Sequence, residues 1–253
     1  MLANFLLIFF VAFLSGIAFT LLLKKFSLKQ GILIQKGMPL IGGVGIGLSF
    51  AIASLFGFLL QKSMPEGITG IMISSFIMLF FGVIDDYREL SIFAKFLVQI
   101  IITHLLIILG VRVQIVFVGN FVNVLITYLW ILGITNAFNH LDVVDGLAAG
   151  VAAFACFSLF IICLLNGDIK TAILCLALFG ASMSFLVYNF PPAKIYMGNS
   201  GSHFLGFVLA AITLIISYAP MERKIALLSP LLVLGFPIFD TAFLIFSRLA
   251  KKK

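Results

Sequence analysis

The chain has 253 residues, of which 63% are hydrophobic and only 10% are Asp, Glu, Lys or Arg, with a mean hydropathy of +1.27 and a formal net charge of +7. A soluble domain carries about a quarter charged residues, so the composition excludes a water-soluble globular fold and predicts an all-α integral membrane protein. The basic residues form no aromatic-interleaved patch, which argues against a nucleic-acid partner and assigns the positive charge to topology and to attraction for anionic groups in or at the lipid bilayer.

Taken in chain order, the first apolar run is Leu2 to Leu23. It has no basic residue ahead of it, and Lys24-Lys25 stand where a signal peptide would be cut, so it reads as a retained helix. Further runs lie near 40–60, 68–84, 92–110, 121–138, 146–165, 170–189, 203–219 and 225–247. Each is long enough to cross the hydrocarbon core, giving about nine transmembrane helices. Alternation in Val111, Val113, Ile115 and Phe117, followed by Gly119-Asn120, predicts a short β-hairpin in one external loop. Connections are short and no repeat is visible, so 1–253 reads as a single polytopic membrane domain. Cys156, Cys163 and Cys175 sit inside apolar runs without paired spacing and read as inert small side chains.

Orientation follows from the 16 basic residues. With the N-terminus outside, eleven of them (Lys24, Lys25, Lys29, Lys36, Arg88, Lys95, Lys194, Arg248, Lys251, Lys252 and Lys253) fall inside. Lys62, Arg112, Lys170, Arg223 and Lys224 fall outside. The positive-inside rule favours that arrangement, with a cytoplasmic C-terminus.

The acidic residues carry more chemistry. Asp85, Asp86, Glu89, Asp142, Asp145 and Asp240 share the inner side, whereas Glu66, Asp168 and Glu222 lie outside. A carboxylate at the bilayer centre costs ~2.5–3.5 kcal/mol, and crowding adds repulsion that a shared cation would offset. Asp85-Asp86 reads either as a solvated helix end partnered by Arg88 or as part of a cation site. In Asn139-His140-Leu141-Asp142-Val143-Val144-Asp145-Gly146 the two aspartates are three apart, which on a helix puts them on one face with Asn139 a turn behind. Met197-Gly198-Asn199-Ser200-Gly201-Ser202 could let backbone amides approach an anion, or be an ordinary loop. Lys36-Gly37-Met38-Pro39-Leu40-Ile41-Gly42-Gly43 places a basic residue before a Gly-rich helix entry. All four elements fall on one predicted side.

With these residues in this order, the chain resembles the polyprenyl-phosphate N-acetylhexosamine-1-phosphate transferases. The resemblance runs from Lys36–Gly43 through Gly82–Asp86, Asn136–Gly150 and Pro192–Gly206 to Pro237-Ile238-Phe239-Asp240-Thr241. It implies transfer of a sugar-1-phosphate from a UDP-sugar donor to a polyprenyl phosphate acceptor with release of UMP, using Mg²⁺ or Mn²⁺ in its place. Leu90-Ser91 with Lys95 and Gln99, and Met197-Gly198 leading to His203-Phe204-Leu205-Gly206, look more like the N-acetylglucosamine branch than the muramoyl-pentapeptide branch. The match implies Asp85 as general base or phosphate positioner and Asp86 as a metal-site or substrate contact. It further implies Lys36, Lys95, Asn139 and Asp240 as substrate-binding residues and Asp142, Asp145 and Asn199 as the metal set. A homodimer is compatible with the resemblance.

Two departures stand out. The family pattern has Met-Gly-Asp where this chain has Met197-Gly198-Asn199, and a histidine-rich loop is expected after Phe239-Asp240-Thr241 but is not found by Lys253. Both keep a second reading open, a catalytically weakened relative that binds polyprenyl phosphate or nucleotide sugar. A secondary transporter is a third, opposed by acidic residues gathered at one face without repeated halves.

Overall fold

A computed structural model describes residues 2–64, 66–116, 118–216 and 228–251. The chain forms α1 (Leu2–Gln30), β1 (Ile34–Gln35), β2 (Met38–Pro39), α2 (Gly42–Gln61), α3 (Glu66–Tyr87), α4 (Ile92–Ile108) and α5 (Asn120–Leu141). It continues as α6 (Leu147–Leu165), α7 (Ile169–Asn189), α8 (Gly198–Ile215), α9 (Ser229–Val233) and α10 (Gly235–Ala250). Among the described residues, 7 helices are long and apolar enough to cross a membrane: α1, α2, α3, α5, α6, α7 and α8. The protein is an all-α, multi-pass membrane protein.

The interior belongs to α7 and α8. Helix α8 packs on α3, α5 and α2, while α7 packs on α6, α1 and α2. Although α8 begins with Gly198-Asn199-Ser200-Gly201-Ser202-His203, it is the most enclosed of the spans. Small side chains there allow backbone-close packing in place of hydrophobic bulk. A Cβ on Gly43 would run into the Gly201 backbone, so α2 and α8 cross where only glycine fits.

Two expectations are corrected. The predicted hairpin after Val111 is absent among the described residues of that loop. Its amides are taken instead by side chains of α5, Val113 N donating to Thr127 Oγ1 at 3.0 Å and Ile115 N to Asn123 Oδ1 at 3.0 Å. The two-stranded hairpin lies at β1–β2, pairing Ile34 with Pro39 and Gln35 with Met38. The ninth segment is broken at Leu234 into α9 and α10, because Pro237 has no N–H to continue the ladder into the preceding turn. Residues 217–227, which hold Glu222, Arg223 and Lys224, lie outside the described residues, as do Lys252 and Lys253.

Candidate active site

Helices α3 and α5 end, and α2, α6 and α8 begin, at the same end of the bundle. The first wall there is the β1–β2 hairpin. Its two-residue turn, Lys36-Gly37, has φ of 50° and 79°, the positive values such a turn needs to follow strand twist. Backbone bonds then zip the chain beyond it to the segment ahead of α8. Tyr196 N donates to Pro39 O at 2.8 Å, Gly42 N to Tyr196 O at 3.0 Å and Gly43 N to Met197 O at 2.9 Å.

The second wall is the end of α3. The Asp86 carboxylate accepts Asn199 N at 2.7 Å and Ser200 N at 2.9 Å, satisfying two of the amides that a helix N-terminus leaves unpaired. The Gly-Ser stretch is therefore no open anion loop but the first turn of α8, already facing a carboxylate of its own chain. Gly198 turns at φ 76°, and a Cβ there would lie 2.6 Å from Asp86 Oδ2. The neighbouring Asp85 projects elsewhere, since successive helical residues lie about 100° apart. Its oxygens accept Leu90 N at 3.0 Å and pair with Lys95 Nζ at 2.7 Å. Along α4 the next polar partner follows, Asn136 Nδ2 of α5 donating to Gln99 Oε1 at 2.8 Å.

The third wall departs from the expected helical face. Helix α5 stops at Leu141, Asp142 caps it, and Gly146 at φ 77° turns the chain into α6, so Asp142 and Asp145 share a turn rather than a helix. They face one cavity nonetheless. Asp145 Oδ2 accepts Ala193 N at 3.0 Å, and Asn189 ties the turn down by accepting Gly146 N at 2.9 Å and donating to Ile195 O at 2.9 Å. Asn139 Nδ2 donates to Asn199 Oδ1 at 2.8 Å and to Ser202 Oγ at 3.0 Å. The Asp142 carboxyl is pushed up to about 8, first by desolvation and then by the charges of Asp86 and Asp145.

These walls enclose about 420 Å³, lined by Lys36, Asp86, Asn139, Asp142, Asp145 and Asn199 together with Gln35, Leu40, Val143, Val144, Asn189, Tyr196 and Gly198. Asp85, Lys95 and Asp240 do not line it; Asp240 sits on α10, which packs against α5. Sequence reasoning missed Asn189 and Tyr196, which flank the Pro191-Pro192 stretch without a charge to mark them. Among the described residues no three His, Cys, Asp or Glu side chains converge as a ready-made metal site. Asp86, Asp142 and Asp145 suit instead an ion such as Mg²⁺ that takes one or two protein carboxylates and completes its shell with phosphate oxygens and water.

Beside this cavity, an apolar groove of about 390 Å³ opens between the start of α6 and the α9–α10 break. Gly146, Leu147, Gly150 and Phe154 line one side and Leu232, Val233 and Phe236 the other.

Comparison with known proteins gives the family. The model of glycosyl transferase family 4 matches residues 68–217, more than half of the chain. The chain is 31% identical over 261 residues to a probable undecaprenyl-phosphate N-acetylglucosaminyl 1-phosphate transferase of Bacillus subtilis, covering 97% of this chain and 72% of that protein. It is 31% identical over 221 residues to the decaprenyl-phosphate N-acetylglucosaminephosphotransferase of Mycobacterium tuberculosis, covering 76% of this chain and 54% of the relative. A shorter stretch of 90 residues, 36% of this chain and 28% of the relative, is 40% identical to the phospho-N-acetylmuramoyl-pentapeptide-transferase of Levilactobacillus brevis. The chain thus spans little more than half the length of its mycobacterial relative, and the family match over residues 68–217 includes the ends of α3 and α5 and the start of α8. This chain belongs to glycosyl transferase family 4.

Proposed function

We propose that the protein transfers N-acetylglucosamine-1-phosphate from a UDP-sugar to a polyprenyl phosphate such as undecaprenyl phosphate, releasing UMP, at the cytoplasmic face of the cell membrane. The observation that carries this reading is the cavity itself. Four segments far apart in sequence deliver Lys36, Asp86, Asn139, the Asp142–Asp145 pair and Asn199 to one end of a membrane bundle. An apolar groove adjoins them at Gly146. A polar, charged chamber next to an apolar groove suits an acceptor with a phosphate head and a long isoprenoid tail. The sugar is taken from the relatives, since those named for N-acetylglucosamine match over most of the chain and the muramoyl-pentapeptide relative over about a third.

In this reading an oxygen of the acceptor phosphate attacks the sugar-bearing phosphorus of the donor. The new P–O bond forms as the bond to UMP breaks, and the electron pair leaves on the UMP phosphate. Alignment and charge neutralisation dominate such a transfer. Lys36 meets the diphosphate, held over the cavity by its hairpin turn. Asn139 shapes the pocket wall, while one or two of Asp86, Asp142 and Asp145 would hold Mg²⁺, which would neutralise phosphate charge when bound. Asp86 also fixes the start of α8. Asp85 and Lys95, paired with each other, hold the end of α3 against α4 as positioning residues.

The test is purified protein with UDP-N-acetylglucosamine, undecaprenyl phosphate and Mg²⁺, following UMP release and the lipid product. Mg²⁺-dependent UMP formation that requires the lipid is the expected result. Tight binding of either substrate without UMP release would favour the alternative of a binding relative, for which Asn199 is the specific observation. Neither binding nor turnover would defeat the proposal.

A further inference from the structure

Two amides meet at the cavity wall, and their partners fix which way each one faces. The Gly198 carbonyl can only accept, so the Ser202 hydroxyl, 3.1 Å away, donates to it. Ser202 Oγ is then the acceptor for Asn139 Nδ2 at 3.0 Å. With that nitrogen placed, its other hydrogen points to the Asn199 side chain at 2.8 Å, which must present Oδ1. Asn199 consequently turns its own Nδ2 away from Asn139, with two N–H groups that have no protein partner among the described residues. The side chain lines the cavity.

The chamber that these N–H groups border is short of positive charge. Three acidic side chains, Asp86, Asp142 and Asp145, line it, with Lys36 as the cationic side chain among the lining residues. An incoming phosphate needs donors there, and a fourth carboxylate at position 199 would add repulsion where a neutral amide adds attraction. We propose that Asn199 acts as a hydrogen-bond donor to an anionic phosphate oxygen of the substrate, and not as a metal ligand. The inference rests on the transferase reading and deepens it. Asp86 and the Asp142–Asp145 turn are left to hold any metal, and part of phosphate recognition becomes independent of it.

The test is calorimetric binding to the full chain in detergent, with UDP and farnesyl phosphate as separate probes, each in EDTA and in Mg²⁺. Wild type is expected to bind in EDTA. Asn199→Ala and Asn199→Asp should each weaken that binding about tenfold or more, the scale of losing a hydrogen bond to a charged group. Asn199→Asp should be the worse of the two in EDTA and recover more on adding Mg²⁺. Asn199→Ser, which keeps an O–H donor, should retain more affinity than Asn199→Ala, separating donor loss from misfolding. Weakening confined to UDP assigns the donor to the nucleotide diphosphate; weakening confined to farnesyl phosphate assigns it to the lipid phosphate. Affinities in EDTA that match wild type for both Ala and Asp, or an Asp variant that binds more tightly, overturn the inference and leave the transferase reading standing. A wild type that binds neither probe in EDTA but does so in Mg²⁺ also overturns it. Failure to bind under both conditions removes the transferase reading as well.

Discussion

The Asp85–Lys95 pair offers a sharp test, because its two members are unequally buried. The Asp85 side chain has 0% exposure and the Lys95 side chain 23%. Lys95→Met strips the ammonium 2.7 Å from Asp85 and leaves a buried carboxylate with one hydrogen bond, from Leu90 N at 3.0 Å. Removing one partner of a buried pair typically costs ~3–5 kcal/mol, because the remaining charge has no water to return to. Asp85→Asn differs. The amide oxygen still accepts Leu90 N–H, and the Lys95 stem can carry its head toward solvent, so the loss should be close to that of an exposed pair, about 1 kcal/mol. The double variant Asp85→Asn/Lys95→Met holds no orphaned charge and should be more stable than Lys95→Met alone by about 2 kcal/mol. Reversible unfolding titrations in mixed micelles would measure all four proteins, with UMP release per folded protein followed alongside. A positioning pair predicts that the double variant regains turnover relative to Lys95→Met. The reasoning fails if Lys95→Met is no less stable than Asp85→Asn. A stable but inactive double variant would return Asp85 to the role of general base.

Three other outcomes follow from the same geometry. Asp86→Asn should lower turnover by ~10²–10³ and, because it weakens two bonds to the start of α8, also lower stability by about 1–2 kcal/mol; kinetics paired with unfolding titrations resolve the two. Asp168→Ala removes the side chain that accepts Thr171 N at 3.1 Å at the head of α7, so stability should fall by ~0.5–2 kcal/mol while UMP release per folded molecule stays unchanged. With the three native cysteines replaced, an impermeant thiol reagent applied to intact cells should label a cysteine at position 168 and spare one at 194; the reverse pattern would invert the proposed orientation.

What was legible in the sequence is what depends on local composition. The lengths of α2, α5, α6 and α7 follow from uninterrupted apolar runs, since the bilayer demands a helix wherever such a run occurs. The acidic cluster at one end was legible for a related reason: charge is too costly there to be incidental. The errors arose where one pattern serves two structures. Alternating apolar residues after Val111 look like a strand, yet the side chains of Asn123 and Thr127 claim those amides. Asp142 and Asp145 have helical spacing, but the helix ends before Asp142, and Gly146 takes a left-handed turn. The Lys36-Gly37 hairpin shows in the sequence only as a charge beside a glycine, because its two strands are only 2 residues each. Asp86 as the partner of α8 was beyond local reading, since it lies 113 residues from Asn199 and 114 from Ser200.

That long-range bond ties folding to chemistry. An N-terminal helix end carries roughly half a positive charge and commonly recruits an anion. Here the anion is Asp86, so the start of α8 is largely neutralised from within the protein before any substrate arrives. The cavity is left with acidic side chains in excess over Lys36, so the diphosphate of the proposed donor would rely on Lys36 and the Asn199 amide for its metal-independent hold. In the proposed transfer a divalent cation would use those same carboxylates and strengthen a hold that the bare anion already has on Lys36 and the Asn199 amide. The arrangement also accounts for glycine at 198: any side chain there would press on Asp86 Oδ2 and displace the carboxylate that positions both α8 and the cavity wall. Fold and site share one residue, and a change at Asp86 must disturb both.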